Sequence, residues 1–61
     1  MKKYAIRTSD GHDESWYYYE SEKKYKNSIE VFKKSESNVH GYELTKSKEY
    51  EVIESYWNGD E

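Results

Sequence analysis

Trp16-Tyr17-Tyr18-Tyr19 sets four large aromatic side chains in succession, and no secondary structure turns four consecutive residues toward one core. In a strand they point alternately to the two faces, Trp16 and Tyr18 to one, Tyr17 and Tyr19 to the other. The run therefore commits the chain to a sheet with aromatic groups on both sides. The remaining apolar inventory is thin, because isoleucine, valine, leucine and phenylalanine together supply only eight residues of 61. Such a fraction on its own would point to disorder. Eight tyrosines and two tryptophans offset it, since each brings roughly 150–250 Å² of buriable surface, and the net charge is only -3. The composition predicts one folded, tyrosine-built domain over residues 1–61. A chain of this size buries only about 60% of its unfolded surface, so its core is small.

The chain has no cysteine and no proline. Without disulfide staples or thiolate metal sites it depends on packing or on a partner, and a cytoplasmic location is the natural expectation. No apolar run is long enough for a membrane span or a signal-peptide core.

Tyr4, Ile6 and Thr8 alternate with Lys3, Ala5 and Arg7, the period of a strand with one apolar face. Asp10-Gly11 then predicts a hairpin turn into a second strand over Ser15–Glu20, because glycine accepts positive φ without a steric penalty. Gly41–Lys46 and Glu49–Trp57 read as a second hairpin around Ser47-Lys48, with Asn58-Gly59 ending its last strand. Between the hairpins, Tyr25, Ile29 and Phe32 fall at i, i+4 and i+7 behind a capping Ser21. Glu22/Lys26 and Glu30/Lys34 are correctly ordered ion pairs, and the spacing predicts a helix over 22–34. The predicted fold class is α+β, a small antiparallel sheet with one helix packed on one face, in the order β-β-α-β-β. Ile29-Glu30-Val31 alternates like a strand, so an all-β meander is the alternative.

One helix covers one sheet face. The other is expected to remain open as an aromatic patch with an acidic rim of Asp13, Glu14, Glu20, Glu51 and Glu54, the composition of a protein–protein interface. Strict alternation sets Tyr50, Val52 and Tyr56 opposite Ile53 and Trp57. The candidate partner-binding residues are Trp16, Tyr17, Tyr19, Ile53 and Trp57, with Glu14 and Glu51 at the rim. Tyr17, Tyr19, Ile53 and Trp57 are expected on the uncovered face. Self-association as a symmetric homodimer through that face would complete so small a core.

Other chemistries have weaker support. His12 lies among Asp10, Asp13 and Glu14 in a turn, but the spacing matches no calcium loop or zinc motif. His40 in Val39-His40-Gly41 reads as a packing residue at a strand entry. No nucleophile elbow or phosphate loop is present, and no enzyme activity and no cofactor are expected. The alternative function is binding of single-stranded nucleic acid, with Lys23, Lys24 and Lys26 contacting phosphates and tyrosines stacking on bases. Carboxylates beside those tyrosines oppose it: residues 10–20 carry -4 and residues 49–61 carry -5.

The Lys, Glu, Ser and Tyr usage, the Met-Lys-Lys start, the small size and the lack of Cys and Pro resemble the short accessory proteins of bacteriophages and mobile elements of AT-rich Gram-positive bacteria. That resemblance implies a non-enzymatic protein that binds a host macromolecule, such as a defence, transcription or replication factor, and blocks or redirects it.

Overall fold

In the computed structural model, which describes residues 2–57, the chain runs β1 (Tyr4–Ser9), β2 (Glu14–Tyr19), α1 (Glu22–Ser35), β3 (Asn38–Leu44) and β4 (Tyr50–Trp57). The α+β order expected from the sequence is the one observed, and the all-β alternative is excluded by α1. All strand pairs are antiparallel and the order across the sheet is β2-β1-β3-β4. The two hairpins thus join through their first strands, with α1 as the connection between them. Asn58-Gly59 lies outside the described residues.

Local chemistry accounts for each turn. Gly11 adopts a φ of 96°, while Asp10 Oδ1 accepts the backbone N–H groups of His12 at 3.0 Å and Asp13 at 2.8 Å. Those two bonds hold the Asp10 carboxyl below its usual range. Of the acids around His12, Asp10 serves this turn, and among the described residues no cluster of three His, Cys, Asp or Glu side chains is disposed to hold a metal ion. In the second hairpin Lys48 takes the left-handed conformation, with φ 65°.

Ser21 caps α1, its Oγ accepting from the Lys24 N–H at 3.1 Å. Glu22 pairs with Lys26 at 3.3 Å as the spacing predicts. Glu30 instead bonds Lys33 at 3.2 Å, one residue short of the expected Lys34, and Lys33 Nζ lies 4.4 Å from the Tyr56 ring centre. Ser21→Ala is expected to cost about 1 kcal/mol and to lower Tm by about 4–8 °C, measurable by thermal circular dichroism.

The core lies between α1 and one face of the sheet. Ile6 and Val39 from the two central strands meet Tyr25 and Ile29 of the helix, and Tyr4, Tyr19, Phe32 and Tyr56 close around them. Tyr4 stacks on Tyr25 at 5.0 Å between ring centres, and Tyr19 meets the same ring edge-on at 6.5 Å. Gly41 of β3 lies directly beneath the Tyr25 hydroxyl, which is why a side chain is missing there. The hydroxyl donates to Glu54 Oε2 at 2.5 Å, and the Tyr56 hydroxyl donates to Glu54 Oε1 at 2.5 Å. Burial, and then the bond to Glu54, push the Tyr25 phenol far above its ordinary range. The Glu54 bond also raises Tyr56, and desolvation raises Tyr4.

Two expectations about the faces need correction. Tyr17 and Tyr19 lie on the helix side, because the register sets Tyr17 beside Ile6 and Tyr19 beside Tyr4. Tyr17 stacks on Phe32 at 4.9 Å. Strict alternation also fails along β4, where a register shift opposite Gly41 and Tyr42 inserts Ile53 as an extra residue. Tyr56 and Glu54 therefore face the helix, whereas Tyr50 and Val52 share the other face with Trp57.

Candidate protein-binding face

Among the described residues, no element covers the side of the sheet away from α1. Reading the register across β2, β1, β3 and β4, its rows are Tyr18–Ala5–Tyr42–Val52, Trp16–Arg7–His40–Ser55 and Glu14–Ser9–Asn38–Trp57. Tyr50 borders the first row through its pairing with Leu44. Four rings form a connected cluster: Trp16 lies 5.1 Å from Tyr42 and 6.2 Å from Tyr18, and Tyr18 lies 5.7 Å from Tyr50. Ala5 is fully buried beneath them. A small residue at the centre of β1 lets the tyrosines of β2 and β3 lean together over it. Even so, Trp16 stays 41% exposed and Tyr18 48%.

Arg7 occupies the middle of this surface. Its Nη1 donates to Glu14 Oε2 at 2.5 Å, and that bond holds the guanidinium still more firmly protonated. Arg7 Nε is buried and, among the described residues, has no hydrogen-bond partner. Next to it, His40 Nδ1 and Ser55 Oγ lie 2.9 Å apart across the strand pair. With Arg7 and Glu14 neutralising each other, the face presents aromatic surface and polar edges and little net charge. Among the described residues the surface holds no ligand-sized cavity.

Of the residues singled out from the sequence, Trp16, Trp57 and Glu14 lie on this face. Tyr17 and Tyr19 do not, and Ile53 is the half-exposed bulge residue outside the regular alternation. Glu51 falls in the row of Tyr19, Tyr4 and Glu43, on the helix side, and Glu54 is a hydrogen-bond acceptor beneath α1 rather than a rim residue. Tyr18, Tyr42, Tyr50 and Arg7 complete the face and were not singled out. Tyr18 had a legible signal, since it shares the parity of Trp16. Lys23, Lys24 and Lys26 project from the helix on the opposite side of the sheet, so one strand of nucleic acid cannot lie along those lysines and stack on the open-face rings at once. Among the described residues no helix is long and apolar enough to cross a membrane. Comparison with protein-family models, curated proteins and solved structures finds no match to this chain.

Proposed function

We propose that the chain is a non-catalytic protein-binding module, an inhibitor or modulator of a larger protein, which it engages with the open sheet face. The observation that supports this reading is the connected Trp16, Tyr18, Tyr42 and Tyr50 cluster, left half-exposed on a flat, nearly neutral surface. Isolated surface aromatics need no explanation, but a contiguous cluster of this kind has the composition of interface hot spots. Arg7 at its centre supplies a charged, directional group among the rings, another residue type enriched in such positions.

The experiment is affinity capture from host lysate at moderate salt, identification of the retained protein, and calorimetry with the purified partner. Trp16→Ala and Tyr42→Ala are each expected to weaken binding by about 30-fold, corresponding to ~2 kcal/mol for a central hot spot. Reversing the charge of Lys23, Lys24 and Lys26 leaves affinity within about threefold, as expected of residues outside the contact. Binding that survives both face variants, is lost on charge reversal, and falls steeply with salt would establish the nucleic-acid reading instead.

A further inference from the structure

The outer edge of β2 is chemically self-complementary, and we infer that a second copy of this chain pairs with it to form a two-fold, continuous eight-stranded sheet. The hydrogen-bond pattern fixes which β2 groups are available. Asp10 N–H donates to Asp13 C=O at 3.2 Å, and Leu44 N–H donates to Lys3 C=O at 2.7 Å. In antiparallel pairs the bonded positions alternate, so Tyr4, Ile6 and Thr8 exchange bonds with Tyr19, Tyr17 and Ser15, while the odd residues of β1 bond to β3. The backbone groups of Glu14, Trp16 and Tyr18 therefore point outward, with no strand of the described residues beside them. Their side chains are the ones on the open face.

Because all three outward residues are even-numbered, any antiparallel pairing of β2 with a second β2 brings the two open faces to the same side. Two registers are worth comparing. Centred on Trp16, the pairing sets Trp16 against Trp16 of the second copy and Glu14 against Tyr18 in both directions, using every outward group. Centred on Tyr17, it bonds only the Trp16 and Tyr18 pairs and sets Glu14 opposite Glu20, a like-charge contact that destabilises a strand pair. The Trp16-centred register is the one the edge supports. Nothing blunts it, since β2 has no proline, lysine or bulge among its six residues. The other edge strand, β4, carries both the bulge at Ile53 and the acidic Glu51. In the dimer the helices stay clear of each other: with α1 centred near β1 and touching both β2 and β3, the two lie about 14 Å apart at normal strand spacing, beyond helix-packing distance.

Area gives a reason for the pairing. One open face, four strands wide, covers about 400 Å² in projection, roughly half of what one partner commonly contributes to a stable interface. Joined edge to edge, two copies present about 800 Å² of continuous surface with the Trp16 pair at its centre. This last step rests on the function proposed above, whereas the pairing itself does not. It assigns the two-fold contact expected from the sequence to the sheet edge rather than to the open face.

The test uses the chain alone. Sedimentation at tens of micromolar to about 1 mM is expected to show a monomer–dimer equilibrium. Amide exchange at Glu14, Trp16 and Tyr18 is expected to slow by at least about tenfold as the dimer fills. Trp16→Lys, which places a charge at the centre of the edge, is expected to be monomeric with its circular dichroism retained. A monomer across the whole range would overturn the inference. So would a dimer in which those three amides exchange at the free rate, or one that survives Trp16→Lys. If the chain is monomeric yet Tyr42→Ala still loses the partner, the edge pairing fails and the binding function stands.

Discussion

Replacing Gly41 with alanine is expected to abolish cooperative folding or bring the urea midpoint close to zero. A Cβ at this position would lie 1.8 Å from the Tyr25 hydroxyl oxygen, 2.9 Å from Cζ and 3.0 Å from Glu54 Cγ. The hydroxyl ends a side chain, but not a flexible one: the ring is 1% exposed and is held by Tyr4 and Tyr19. To make room, the ring must move as a unit, at a cost of about 1–3 kcal/mol for overpacking. It also gives up its bond to Glu54, leaving a partly buried carboxylate one donor short for about 1–3 kcal/mol more. Together these approach the roughly 3–5 kcal/mol that a core of this size supplies. In a Tyr25→Phe background the same glycine substitution is expected to cost less, with a coupling of about 1–2 kcal/mol from urea titrations of the four proteins in the cycle. Alanine tolerated at Gly41 within about 0.5 kcal/mol would contradict the packing described.

Alkaline unfolding is the second large effect. Tyrosine in an unfolded chain ionises near pH 10, whereas Tyr25, Tyr56 and Tyr4 hold their protons above that in the folded protein. Below pH 10 both states are protonated and the contribution to stability is fully present. As pH rises through 10, the unfolded chain releases protons that the folded chain retains, so stability falls. Tyr25 alone, almost fully buried, gives a slope of about 1.4 kcal/mol per pH unit. Set against a few kcal/mol in total, that predicts unfolding about two to three units above pH 10. Urea midpoints between pH 8 and pH 12 and the accompanying rise in phenolate absorbance would test it. Tyr25→Phe should reduce the slope, and an unchanged midpoint up to pH 12 would refute the argument.

Element order and type were legible because each depends on nearby residues: the Asp10-Gly11 turn, the Ser21 cap, and the 25, 29, 32 stripe of α1. Face assignment depends on which strands become central, and that is a long-range property. Once Ile6 and Val39 meet under the helix, the pairing of Tyr17 with Ile6 decides the side of every β2 residue. The alternation in β2 was thus read correctly while its direction was not. In β4 the pattern itself misleads, since one inserted residue at Ile53 reverses the parity of everything before it relative to everything after. Glu54 looked like a rim acid because charge predicts exposure. Only the approach of two tyrosine hydroxyls gives it an interior role. Tyr42 and Tyr50 were not legible as site residues for a related reason, because the open-face cluster joins rings from three strands and no stretch of sequence contains it.

The strand order has a kinetic consequence. Each hairpin closes a short turn and can form from its own residues, but the sheet is one sheet only through the β1–β3 seam, where the two halves of the chain meet side by side. The entropy of bringing those halves together is lost before the seam returns any energy. The intervening segment is largely α1, and a helix formed early shortens the search by replacing a slack connection with a rigid one. Its inner face then supplies Tyr25 and Ile29 at the place where Ile6 and Val39 must meet. The folding rate of this protein is therefore expected to depend on how readily the segment from Glu22 to Ser35 becomes helical before its hairpins have met.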